Sequence, residues 1–138
     1  QEWKQFYEPI PNINKNMFVN ITQNITLQEV IATISKAPLK KATGPSTIFN
    51  EILKKLPPVA HELLTKIFNT CLQLKTIPQK WRASLVWPIS KKPQYNGDLT
   101  STRPIKLIDH TRKILTKILT ERLSNILLKL DILVPQNN

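Results

Sequence analysis

The chain has 138 residues, of which 41% are hydrophobic, and its 20 Lys and Arg against 9 Asp and Glu give a net charge of +11. This length suits one domain or a piece of a larger one, and the composition argues against disorder throughout and against a membrane-spanning segment. The single Cys excludes a disulfide framework and a Cys-rich zinc module, and it fits a reducing intracellular site, in the nucleus or the cytoplasm.

The first predicted helix follows a stretch without periodicity. Residues 1–25 mix aromatic residues, Pro and Asn, so we expect a linker or an N-terminal arm. Thr26 and Glu29 then match a capping box, in which Thr caps backbone N–H groups and Glu reaches back. Apolar residues follow at helical spacing and predict a helix to about Lys36: Leu27, Val30, Ile31 and Ile34.

Two further helices are predicted in the next 40 residues. A basic turn at 40–45 leads to a second helix, which we expect to begin at Ser46 or Thr47, because either residue can cap it. Its buried face is predicted to hold Ile48, Phe49, Ile52, Leu53 and Leu56. Pro57-Pro58 sets the first turn of a third helix. Its apolar face, with Cys71 as core filling, holds Leu63, Leu64, Ile67, Phe68, Cys71 and Leu72.

The pattern then changes to that of a strand. Residues 83–89 are rich in β-branched and aromatic residues, and Pro88 within them favours an edge strand or a strand end. With a returning strand at 103–108, they predict a β-hairpin with a long basic tip. A long helix starts near Asp109, which we expect to cap it, and carries one apolar stripe: Ile114, Leu115, Ile118, Leu119, Leu123, Ile126, Leu127 and Leu130. The predicted fold class is therefore α+β and mostly helical.

The residues that commonly carry catalysis form no recognisable site. His61 and His110 lack the neighbours of a triad or a metal site, so we expect ordinary surface or cap residues. Two-metal chemistry needs at least two converging carboxylates, and nothing brings Asp98, Asp109 and Asp131 together. With only two Gly, the chain has no phosphate-binding glycine loop. We predict no catalytic residue, no metal ligand and no cofactor within this chain.

The basic residues are the stronger functional signal. A net charge of +11 favours nucleic acid as a partner, with an anionic membrane surface or simple solubility as alternatives. Lys91 and Lys92 at the hairpin tip could meet Arg103 across the ladder and grip phosphate oxygens. Equally, lysines on an exposed hairpin can serve to prevent pairing between sheet edges. Trp81 and Trp87 could stack on bases, although Trp more often anchors a core.

A series of short motifs follows one another along the chain. They are Lys41-Ala42-Thr43-Gly44-Pro45, Asn50-Glu51-Ile52-Leu53-Lys54, Ile77-Pro78-Gln79-Lys80-Trp81, Val86-Trp87-Pro88-Ile89-Ser90-Lys91-Lys92, Arg103-Pro104-Ile105-Lys106-Leu107, and Lys113-Ile114-Leu115 to Arg122-Leu123. In this order and spacing they resemble the amino-terminal part of the reverse transcriptase domain of non-LTR (long interspersed element type) retrotransposons. The resemblance covers about Ile25 to Gln136.

The resemblance implies a right-hand polymerase fold, of which residues 26–138 would be the fingers and the first edge of the palm. In that family the fingers hairpin closes over the incoming nucleotide. Arg103 would contact its triphosphate, assisted by Lys91 or Lys92. The implied contacts to template or primer backbone are Lys40, Lys41, Lys113 and Lys117.

The implied partners are an RNA template, a DNA primer, deoxynucleotide triphosphates and the polymerase palm and thumb, with no membrane. The family writes Gly-Pro-Asp-Gly where this chain has Gly44-Pro45-Ser46-Thr47, and Thr is strained if that position needs a positive φ. The chain ends about where the family continues into Gln-x-Gly-Phe, before the metal-binding Asp motifs. Mg²⁺ is implied for the full-length parent only.

The leading hypothesis is therefore a fingers fragment of an RNA-directed DNA polymerase that does not catalyse alone. One alternative is a domesticated, standalone remnant that binds nucleic acid without catalysis. The other is a basic helical interaction protein.

Overall fold

The computed structural model describes residues 15–91, 93 and 97–130. In chain order the elements are a 3-10 helix at Lys15–Thr22, α1 at Leu27–Lys36, α2 at Asn50–Lys54, α3 at Pro58–Gln73, α4 at Gln79–Arg82, β1 at Leu85–Ser90, a 3-10 turn at Leu99–Ser101, β2 at Thr102–Leu107 and α5 at His110–Lys129. This confirms a mostly helical α+β chain with one two-stranded sheet among the described residues. Across these residues, no helix combines the length and apolar character needed to cross a membrane.

The core is built by α1, α3 and α5, which each contribute one apolar face. Val30 and Phe68 have 0% of their surface exposed, and Ile118 of α5 packs in the same cluster. Trp81 of α4 packs edge-on against Phe68, with ring centroids 6.0 Å apart. Trp81 is therefore a core anchor. Cys71 is buried in the same cluster, which confirms the prediction that it fills the core, and this burial raises the pKa of its thiol.

The start of α1 is the predicted capping box. The Thr26 hydroxyl accepts a hydrogen bond from the Glu29 backbone N–H at 3.2 Å, and Glu29 Oε2 accepts from the Thr26 backbone N–H at 2.8 Å. The helix ends at Lys36, as its spacing predicted.

The predicted start of the second helix is wrong. The helix α2 begins at Asn50, because Thr47 has φ 57°, a left-handed conformation that no α-helix contains. Residues 44–47 instead form a turn, in which the Thr47 N–H donates to the Gly44 carbonyl at 3.1 Å. The predicted buried face is also only partly correct, since Phe49 and Ile52 are exposed.

The third helix begins at Pro58, as predicted, with proline in its first turn. Its buried face holds Leu64, Phe68 and Cys71, whereas Leu63 and Ile67, which were predicted to be buried, are exposed. The short helix α4 that follows was not predicted.

The hairpin is confirmed, with β1 and β2 antiparallel in a register that pairs Leu85 with Leu107 and Ser90 with Thr102. Pro88, predicted at an edge, lies directly opposite Pro104. Because proline has no N–H, this pair is of the non-hydrogen-bonded type, and the ladder bonds fall on the alternate pairs.

The long helix α5 matches the prediction, although Leu123 of its apolar stripe is exposed. Asp109 occupies the N-cap position, but its side chain does not cap α5. Its Oδ1 accepts from the Ser46 backbone N–H at 2.9 Å. A Cβ on Gly44 would lie 2.4 Å from the Asp109 nitrogen, so only glycine fits this close approach between the turn and α5.

Candidate functional site

The hairpin displays Arg103 at its outer end. Side chains alternate between the two faces of a strand, so Arg103 shares a face with Ile105 and, across the ladder, with Ile89 and Trp87. The Arg103 side chain is exposed and has no hydrogen bond or ion pair with any residue that the structure describes. Its guanidinium is therefore available to a ligand.

Lys91 lies at the same end of the hairpin as Arg103. Its backbone N–H donates to the Ser101 carbonyl at 2.8 Å, which extends the ladder beyond Ser90, and its Nζ donates to the Thr100 carbonyl at 3.2 Å. The structure thus brings Lys91 and Arg103 to one end of one sheet. Lys92, the other predicted phosphate contact, lies outside the described residues.

An apolar groove of about 430 Å³ lies inward of Arg103, between the hairpin and the segment that leads into α2. We call it the hairpin groove, and its lining residues are Ala42, Thr43, Phe49, Leu85, Trp87, Ile89, Ile105 and Leu107. Trp87 keeps 63% of its surface exposed, in contrast to the half-buried Trp81. An open groove with an aromatic wall can accept a planar ring by stacking.

The predicted backbone contacts Lys40 and Lys41 lie in the loop that borders this groove. The Lys40 backbone N–H donates to Glu51 Oε1 at 2.6 Å, which lowers the pKa of Glu51. The next residue but one, Ala42, has its carbonyl 3.1 Å from Nε2 of His110 at the start of α5. Lys113 lies one helical turn further along α5, so the structure places Lys40, Lys41 and Lys113 around the same helix end.

His110 is buried, so the prediction that it is a surface or cap residue is wrong. Its Nε2 is bonded to the Ala42 carbonyl, while its Nδ1 is buried and has no partner among the described residues. Burial lowers the pKa of His110, so the ring is neutral near pH 7. His61 is half-buried, with Nε2 2.9 Å from the Leu53 carbonyl.

Not every basic residue of α5 is available to a ligand. Arg112 donates to the Trp81 carbonyl at 2.9 Å. Arg122 forms two hydrogen bonds of 2.9 Å to the Glu29 carboxylate, and this guanidinium lowers the pKa of Glu29. It also donates to the carbonyls of Ile21, Gln23 and Asn24 at 3.0, 2.7 and 3.2 Å.

These contacts tie the N-terminal segment to α5 across a sequence separation of 93 to 101 residues. Helical periodicity carries no signal for contacts so distant in sequence, so the sequence did not reveal them. The exposed Lys117 and the half-buried Lys113 are thus the cations of the N-terminal half of α5 that remain for a partner.

Among the residues that the structure describes, no three His, Cys, Asp or Glu side chains converge to hold a metal ion. The described residues therefore offer no such cluster to the Mg²⁺ that the resemblance implies for the full-length parent.

Comparison with known proteins gives the chain its relatives. No protein-family model matches it. It is 34% identical over 99 residues, 72% of the chain, to the RNA-directed DNA polymerase from mobile element jockey of Drosophila melanogaster. It is 27% identical over 131 residues, 94% of the chain, to the probable RNA-directed DNA polymerase from transposon BS of the same species.

A third relative is the retrovirus-related Pol polyprotein from type-1 retrotransposable element R1 of Bradysia coprophila, 28% identical over 110 residues, or 79% of the chain. The chain spans only 11% to 14% of the length of these three relatives. Over most of its length, it belongs to the family of RNA-directed DNA polymerases of non-LTR retrotransposons.

Proposed function

We propose that this stretch is the fingers region, with the first edge of the palm, of a right-hand RNA-directed DNA polymerase. In this proposal the hairpin binds the incoming deoxynucleotide triphosphate. One observation carries it: Arg103 is exposed and unpaired among the described residues, at the sheet end that also holds Lys91.

The chemistry of these two side chains suits a triphosphate. A guanidinium presents five N–H donors in a planar fork that matches phosphate oxygens, and an ammonium adds a mobile point charge. In the proposed complex Arg103 forms paired hydrogen bonds to the phosphate chain. Lys91 adds charge from the adjoining loop, and Lys92 is assigned the same role.

The hairpin groove offers room for the rest of the nucleotide. Trp87 is diagonal to Arg103 on the same face of the sheet, a relation that places Cα atoms about 7–8 Å apart. A nucleotide held by Arg103 through its phosphates can thus rest its base against Trp87. The proposed contacts to the template and primer backbone are Lys40, Lys41, Lys113 and Lys117, which carry no sequence preference because phosphates are common to all sequences.

The test compares two cations of β2 in the polymerase that carries this stretch. We expect Arg103→Ala to raise the KM for deoxynucleotide triphosphates at least tenfold, since a hydrogen bond to a charged group contributes about 1.5–3 kcal/mol. Lys106→Ala is the matched control: Lys106 is exposed on the same strand but on the opposite face. Steady-state primer extension on an RNA template measures both.

The same variants separate nucleotide binding from template binding. Arg103→Ala should leave the Kd for the RNA–DNA template–primer within twofold of the wild-type value. The double variant Lys41→Ala/Lys113→Ala should instead weaken template binding and make its dependence on salt shallower, by about two phosphate contacts. An unchanged KM in Arg103→Ala, or equal effects in Arg103→Ala and Lys106→Ala, would refute the role of Arg103.

A further inference from the structure

The outer face of α3 exposes a row of large apolar side chains. They lie at spacings of four and seven residues, and Ile52 of α2 lies beside them: Val59, Leu63, Ile67 and Leu74. Leu63 keeps 59% of its surface exposed although it lies in the middle of a 16-residue helix. We call this surface the α3 face. A row spaced mainly by four residues is the ridge with which one helix packs into the groove of another.

Two apolar grooves flank this ridge and share Leu63 and Ile67. One has a volume of about 430 Å³ and continues past Leu74 to Ile77 and Pro78. The other, of about 200 Å³, continues over Ile52. A continuous apolar surface of this kind is unusual on a protein that is complete in itself, and it marks a site of interaction.

We infer that the α3 face is the docking surface for an amphipathic helix from the remainder of the polymerase chain. The inference rests on the proposed function only in treating this stretch as part of a longer polymerase. It does not involve the hairpin, the nucleotide or the template.

Charge and composition favour this occupant over two others. Nucleic acid needs a row of cations, and among the residues lining the two grooves only Lys66 is charged. A second copy of the chain would bring a second net charge of +11 to the interface, which opposes association. The matched region is only 11% to 14% of the length of the relatives. The rest of a polymerase of that length is therefore our preferred source of the partner helix.

The dimensions of the α3 face define the helix it fits. From Val59 to Leu74 the ridge runs 15 residues, or about 22 Å at 1.5 Å per residue, so the partner helix has about four turns. Its contact stripe is apolar at every third or fourth position. Beside Lys66 at the rim of the larger groove, we expect an acidic or neutral side chain.

Thiol labelling of the α3 face tests this inference. In a Cys71→Ala background, Leu63→Cys should react with a maleimide at least tenfold more slowly in the polymerase than in the 138-residue chain. Glu62→Cys is the matched control, because it is exposed on the same helix but turned about 100° from Leu63. It should react at similar rates in both proteins.

A second variant guards against an effect on folding. Leu63→Glu should leave the Tm of the 138-residue chain unchanged, because Leu63 is already largely in water, and should lower the Tm of the polymerase. Equal labelling of Leu63→Cys in both proteins would overturn the inference. So would protection that appears only with added RNA, or protection that rises with the concentration of the 138-residue chain. If Arg103 proved not to bind the triphosphate, the expected results of these measurements would stay the same.

Discussion

The helical part of this chain and its hairpin are built in opposite ways. In the helices, Val30 and Phe68 are completely buried and three helices share one core. In the hairpin, most residues of both strands are exposed and none is buried, and the large ring of Trp87 is among the exposed ones. Folding free energy therefore comes mainly from the helices. The hairpin strands leave the side chains of Arg103 and Trp87 exposed.

The largest expected loss of stability comes from a substitution in the helical core. Phe68→Ala should lower the free energy of unfolding by about 3–5 kcal/mol, because it removes a buried ring at the centre of the core and leaves a cavity. Trp87→Ala, which removes a larger but exposed ring, should change it by less than about 0.5 kcal/mol. Urea unfolding of the two variants measures both. Similar losses in both would show that the hairpin shares in the core.

A smaller loss of stability is expected when the contacts of Arg122 with Glu29 and with the N-terminal segment are removed. Arg122→Met keeps the apolar stem but removes every hydrogen bond to Glu29 and to the three carbonyls, so we expect a loss of about 2–3 kcal/mol. Arg122→Lys should restore little, since an ammonium cannot reproduce the paired contact with a carboxylate. Arg112→Met, which breaks one hydrogen bond to a carbonyl, serves as the comparison.

The pairing of Arg122 with Glu29 also predicts that the free energy of unfolding depends on pH. Arg122 holds the pKa of Glu29 below its ordinary value of 4.5, so the ionised form is favoured in the folded state. The resulting stability is complete above about pH 4.5 and is lost as the pH falls through the folded pKa. Wild-type protein should therefore lose more stability below pH 4.5 than Arg122→Met does. Parallel acid profiles of the two proteins would contradict the pairing.

The smallest expected effect is a gain in stability. Thr47 has φ 57°, a conformation that costs an L-residue about 1–2 kcal/mol. Glycine avoids this cost but loses more conformational entropy on folding, which offsets part of the gain. Thr47→Gly should therefore stabilise the chain by about 0.5–1 kcal/mol in thermal unfolding. Thr47→Ala, which retains a Cβ, should give a smaller gain.

Local patterns predicted much of the fold. The Thr26–Glu29 capping box, the proline start of α3, the hairpin and α5 were all visible, because each depends on residues close together in the sequence. The position of α2 was not. A cap at Ser46 was plausible locally, but the Ser46 N–H instead donates to Asp109, 63 residues away.

Burial was harder to predict than helicity. Leu63 and Ile67 follow the same period as Phe68, yet they face outward, because periodicity gives the width of an apolar face and not which part of it meets a neighbour. In the candidate site, too, features set by nearby residues could be predicted and features set by distant residues could not. The hairpin spacing correctly brought Lys91 and Arg103 to one end, whereas the internal pairing of Arg122 depended on contacts about 100 residues apart.

The facing prolines of the hairpin limit how any partner can approach it. Outward-facing N–H groups fall on the non-hydrogen-bonded pairs, and the central one on each edge belongs to Pro88 or Pro104, which have none. A peptide that tried to join either edge as a third strand would find the middle donor missing and a ring in its place. The edges of this ribbon are therefore poor sites for strand addition, whereas its faces are open, and Arg103 is exposed on one of them.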